Sequence, residues 1–97
     1  MFTGLVRELG LIKGISKSES SALLTIHAPR TVPYIKKGDS VAINGVCLTA
    51  VDVSTDSFSA DVMVQTLALT SLSQAVVGSP VNLELAALAT SRLGGHL

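Results

Sequence analysis

The chain has no tryptophan, one tyrosine, two phenylalanines and a single cysteine. One cysteine cannot close a disulfide within the chain, which fits a reducing compartment and an expected place in the cytoplasm. Three rings, Phe2, Tyr34 and Phe58, are too few to stack the bases of a single-stranded nucleic acid. Charge is also scarce: charged residues make up 14%, against roughly 25% in an average globular protein. Seven basic and seven acidic residues balance, and the basic ones form no stripe. A nucleic-acid partner needs many phosphates neutralised, so none is expected.

Long apolar runs are missing as well. The stretch from Val62 to Leu83 carries no formal charge, but Gln65, Thr66, Thr70, Ser71, Gly78 and Pro80 interrupt it. No membrane-spanning helix is expected there. Arg7 and Glu8 break the N-terminus before an apolar run develops, so no signal peptide is expected. His27, His96 and Cys47 are too far apart to show a metal-site spacing, and no metal is expected. The sequence contains no phosphate loop and no nucleophile elbow. Asp61 and Glu84 are the carboxylates nearest to apolar strands, and both read as solvated or paired.

What remains is an apolar, small-residue chain. Hydrophobic residues make up 47% of the 97 positions, enough for one domain spanning 1–97 with apolar surface left to meet a partner or ligand. Strands are expected at Leu5–Ile15, Ser21–His27, Val41–Ile43, Val46–Val53, Phe58–Val62 and Pro80–Leu85. Pro29, Gly38-Asp39 and the run STDS punctuate them. Gln65 to Gln74 is the one place for a short helix, with Leu67, Leu69 and Leu72 as its apolar side. Six short strands at even spacing predict an all-β fold, a small antiparallel barrel with one short helix.

The run INGVCLTA, from Ile43 to Ala50, allows a finer reading. Asn-Gly favours a two-residue type I′ turn. That register pairs Ile43 with Val46, Ala42 with Cys47, Val41 with Leu48 and Ser40 with Thr49. Paired residues share a face. One face is then Val41, Ile43, Val46 and Leu48, all apolar; the other is Ser40, Ala42, Cys47 and Thr49, all small. The first reads as core and the second as a floor on which something flat can lie. Val51 and Val53 fall on the wrong face unless a bulge follows Thr49. Cys47 itself has no adjacent charge or histidine to activate it, and a free cysteine is commonly a small buried hydrophobe.

Five segments, MFTGLV, GDSVAINGVCLT, FSADVMVQTL, GSPVNLELA and RLGGHL, follow one another in order from Met1 to Leu97. In this order and spacing they resemble the N-terminal half of riboflavin synthase of the α-chain type. The resemblance implies a six-stranded antiparallel Greek-key β-barrel, present twice in a full chain. It implies a transferase of riboflavin biosynthesis that converts two 6,7-dimethyl-8-ribityllumazine molecules into riboflavin and a ribitylamino-pyrimidinedione. It implies no metal or redox cofactor, only a pteridine or flavin as ligand. It places the active site between barrels of neighbouring subunits in a trimer.

Carried over position by position, the resemblance implies ligand contacts at Gly4, Leu5 and Val6, at Cys47, Leu48 and Thr49, and at Asp61, Val62, Met63, Val64, Gln65 and Thr66. Ser40 and Cys47 are the candidates for catalytic roles, and Phe2 and Thr3 are expected to help close the site. Gln65 stands where the family often has glutamate, and Leu85 where it usually has arginine. The chain stops where the family continues into a second barrel. A single half is therefore expected, binding ligand as a homodimer with little or no turnover of its own. The other reading of the same fold is a non-catalytic flavin- or lumazine-binding protein.

Overall fold

A computed structural model describes residues 4–87 of the chain. Six strands close into a barrel: β1 (Gly4–Lys17), β2 (Ser21–His27), β3 (Ser40–Ile43), β4 (Val46–Val53), β5 (Ser57–Met63) and β6 (Pro80–Ala87). One short helix, α1 (Val64–Leu69), follows β5, and a 3-10 turn spans Val32–Tyr34. Around the barrel the order is β1-β2-β5-β4-β3-β6, every pair antiparallel. β3, β4 and β5 meander, and β2 returns beside β5, which is the Greek-key arrangement.

Alternation explains the strands. Ala22, Leu24 and Ile26 on β2 point inward and are fully buried, while Leu23, Thr25 and His27 between them are half-buried. Ala60 and Val62 alternate inward on β5 with Phe58, the one aromatic of the core among the described residues. Val81, Leu83 and Leu85 do the same on β6. β1 is long enough to serve two neighbours: Gly4 to Leu11 pairs with β6, and Leu11 to Lys17 pairs with β2. The register with β2 skips Lys13, a bulge that bends the strand around the barrel.

Both ends of the barrel are plugged. At one end Leu72, from the turn after α1, is fully buried. At the other, Val32 of the 3-10 turn and Ile35 just after it are buried, and Glu8 reaches their loop. Its Oε1 accepts from Thr31 N at 2.8 Å and from Thr31 Oγ1 at 2.9 Å, and Arg30 N donates to it at 3.1 Å. Thr31 has no solvent exposure, and its N–H is shared between the Glu8 carboxylate and the Ala28 carbonyl while its hydroxyl donates to Glu8. Among the described residues no helix is long and apolar enough to cross a membrane.

Two expectations are adjusted and one element is added. The helix is shorter than Gln65–Gln74, ending at Leu69, because Thr70 is extended and the chain then turns. Of its apolar candidates, Leu72 is core and Leu67 packs partly against it, while Leu69 is 86% exposed. The 3-10 turn at Val32–Tyr34 was not foreseen.

Candidate ligand-binding site

Asn44 adopts φ 50° and Gly45 φ 84°, the left-handed pair that a type I′ turn requires. The register that follows is Ile43↔Val46, Ala42↔Cys47, Val41↔Leu48 and Ser40↔Thr49. Val41, Ile43 and Leu48 are buried, and Val46 packs partly against the core. Ser40, Cys47 and Thr49 are exposed and Ala42 is half-buried. The thiol is therefore on the outer surface, among small side chains, and not in the core.

β4 also carries the bulge that its valines demanded. Ala50 pairs with Ala60 and Asp52 with Ser59, so Val51 is the extra residue. Val53 then pairs with Phe58 and returns to the core side.

The floor extends beyond the hairpin. Thr49 pairs with Asp61, whose side chain is exposed. In the other direction a continuous row crosses four strands: Cys47, Ala42, Glu84 and Arg7. Arg7 Nε lies 3.3 Å from Glu84 Oε2 in an exposed ion pair, of a kind that contributes little to stability. A shallow depression of about 480 Å³ over Arg7, Leu9, Asn82 and Glu84 adjoins the row. Gly4, Leu5 and Val6 pair with Ala87, Ala86 and Leu85, so their backbone lies one to three residues along from Arg7. Ser40 and Thr49 are displaced from Ala42 and Cys47 in the same direction.

The ladder between β4 and β5 begins only at Thr49↔Asp61. In a two-residue hairpin the flanking pair exchanges both backbone hydrogen bonds and the next pair none. Ile43↔Val46 is the flanking pair, so Cys47 turns its N–H and C=O away from β3, toward the β5 side. There β5 ends at Met63, itself 57% exposed, and α1 starts at Val64. Cys47 thus offers a strand edge beyond the last registered pair.

The structure brings Ser40, Cys47, Thr49 and Asp61 onto one outer surface and carries Met63, Val64, Gln65 and Thr66 past its open edge. Gln65 is exposed and Thr66 half-buried. Leu48 and Val62 face the core, so a ligand on the outer face can reach only their backbone. Phe2, Thr3 and His96 lie outside the described residues. His27 is not on this surface; its Nδ1 faces Asp56 Oδ2 at 3.6 Å. Among the described residues no three His, Cys, Asp or Glu side chains are grouped to hold a metal ion.

One residue of the site was missed in the sequence except as a turn former. Asn44 N donates to Asn82 O, and Asn44 Oδ1 accepts from Asn82 N, both at 2.7 Å. Its carbonyl accepts from Ser71 Oγ, also at 2.7 Å. The Asn-Gly pair signals the turn, but its partners are 27 and 38 residues away and leave no local signal.

The chemistry available is that of a platform: hydroxyls at Ser40 and Thr49, a thiol, an exposed carboxylate and a strand edge. Such a surface has the groups needed to orient a flat heterocycle and hydrogen-bond its heteroatoms. It covers a ligand from one side only, whereas small-molecule sites usually enclose most of the ligand surface.

Comparison with known proteins gives a consistent result. Residues 3–86 match the family model described as lumazine binding domain. The riboflavin synthase of Actinobacillus pleuropneumoniae is 46% identical over 97 residues, all of this chain and 45% of that protein. The riboflavin synthase of Mycobacterium tuberculosis is 50% identical over 98 residues, again all of this chain and 49% of that protein. A solved structure, described as LumP complexed with 6,7-dimethyl-8-(1'-D-ribityl) lumazine, superposes with a TM-score of 0.78 at 35% identity, covering 97% of this chain and 52% of that one. The chain spans about half the length of the relatives it matches.

Proposed function

The chain belongs to the lumazine binding domain family, and from that premise we propose that it binds 6,7-dimethyl-8-ribityllumazine and riboflavin on the outer face over Ser40, Cys47 and Thr49. We further propose that it serves as one of two barrels in a riboflavin synthase. The observation that carries this reading is the Cys47 strand edge beside a floor of small side chains. A pyrimidinedione ring presents alternating C=O and N–H groups, the complement of a strand edge. Ser40 and Thr49 supply hydroxyls to ring or ribityl oxygens, and Gln65 and Thr66 approach from α1.

In the synthase reaction a four-carbon unit passes between two lumazines. The 7-methyl group of the lumazine is acidic because its carbanion delocalises into the pteridine. The protein's work is then to hold two rings face to face and to stabilise developing negative charge, without metal or redox cofactor. Ser40 and Cys47 would stand closest to that chemistry. A floor open on one side supports a second barrel as the other wall. On this reading residues 1–97 are one barrel domain, a trimer is the assembly of the complete protein, and two isolated copies pair as a homodimer with little or no turnover. The exposed Cys47 fits a reducing compartment such as the cytoplasm.

The likeness to the lumazine-complexed LumP structure favours a second reading, a non-catalytic ligand carrier. Fluorescence titration with riboflavin and the lumazine, followed by an absorbance assay for riboflavin formation, separates the two. Saturable binding with slow turnover supports the synthase. Binding with no turnover, by this barrel and by the complete protein alike, supports the carrier. Absence of saturable binding to either ligand contradicts both.

A further inference from the structure

We infer that Asn44 and Ser71 are positioning residues, a tether that sets the gap between the Cys47 floor and the helix carrying Gln65 and Thr66. The inference rests on the ligand site proposed above. α1 has only six residues, its N-cap Met63 makes no side-chain cap, and none of its side chains is fully buried. A helix that short does not hold itself together or in place. Leu67 packs partly against the core, and beyond that contact the helix is fixed from its two ends. At the front Val64 N donates to Ser20 O at 2.9 Å. Behind it Leu72 is sunk into the barrel end and Ser71 Oγ donates to the Asn44 carbonyl.

The far side of that bond cannot drift. Asn44 is held in the left-handed region and locked to β6 by the reciprocal pair of hydrogen bonds with Asn82. Cys47 follows three residues later on the same hairpin. One exposed hydroxyl–carbonyl bond therefore links the strand bearing the floor to the turn that ends α1. Loosening it leaves the barrel ladders intact and lets the two walls separate.

Ser71 is exposed, so Ser71→Ala tests the tether without disturbing the core. Ser71→Thr keeps the hydroxyl and serves as the conservative rescue. The probes are riboflavin affinity by fluorescence, melting temperature, and amide NMR shifts of the free protein. The tether predicts about tenfold weaker riboflavin binding for Ser71→Ala, an almost unchanged melting temperature, and shifts at both Cys47–Thr49 and Gln65–Thr66. Ser71→Thr restores all of these. Asn44→Gly, which keeps the turn but loses the acceptor for Asn82 N, weakens binding further. Wild-type protein that binds riboflavin, paired with a Ser71→Ala variant whose affinity is within twofold and whose shifts stay within 44–45 and 70–73, overturns the tether alone. Wild-type protein that fails to bind riboflavin overturns the ligand site and the positioning role with it.

Discussion

Gly10 sits one residue before β1 changes partners, opposite Val81, with Leu11 already paired to both Pro80 and His27. A Cβ there would lie 2.9 Å from Leu83 Cδ1 and 3.0 Å from both His27 O and Ile26 Cγ2. The backbone oxygen cannot rotate aside as a side chain can. Gly10→Ala is therefore expected to cost about 1–3 kcal/mol as overpacking, a fall in Tm of very roughly 4–20 °C for a domain this small. A melt unchanged within error would show that the barrel corner relaxes freely. Cys47 makes the opposite case. Its side chain is exposed and no charged partner is registered beside it on the hairpin, so its place on the floor matters more than its sulfur. Cys47→Ser is expected to leave riboflavin affinity within about tenfold, roughly 1.4 kcal/mol. A loss of three orders of magnitude in a calorimetric titration would make the thiol central.

Among the elements, those governed by alternation and turn chemistry were legible in the sequence. Asn44-Gly45 fixed the β3–β4 register, and the misplaced phase of Val51 and Val53 announced the β4 bulge. The Ser40, Cys47 and Thr49 floor followed from the same parity. Elements held by distant polar contacts were not legible. The 3-10 turn at Val32–Tyr34 is anchored through Glu8, more than 20 residues earlier in the chain. Leu69 kept the helical spacing of an apolar face yet is exposed, because α1 ends there and Leu72 plugs the barrel in its place. The Glu8 anchor makes a graded prediction. Glu8→Ala strands the hydroxyl of fully buried Thr31 and leaves its N–H to the Ala28 carbonyl alone, and should cost about 1–3 kcal/mol, whereas Glu8→Gln keeps one acceptor and should cost about half as much. Urea unfolding of the two variants reads the difference directly. Equal stability for Glu8→Ala and the parent would mean that the loop finds other partners.

At the scale of the whole molecule, several large apolar side chains are exposed among the described residues. Leu9, Leu11, Met63, Leu69, Val76 and Val77 are all exposed, and the last four fall within the charge-free stretch from Val62 to Leu83. A twofold interface between identical copies would cover such a surface, since it is self-complementary. Sedimentation equilibrium should accordingly give twice the chain mass of 10.0 kDa at micromolar concentration, and Leu69→Glu with Val77→Glu should shift the protein toward monomer. A mass of 10.0 kDa that riboflavin does not change would rule the dimer out. The central claim is that the outer face of β3–β4, with the start of α1, is where the ligand lies. Amide NMR during a riboflavin titration tests it most directly. The account predicts shifts at Gly4–Val6, Cys47–Thr49 and Asp61–Thr66; shifts gathered instead at Ser16–Ser20 and Thr55–Ser57 would contradict it.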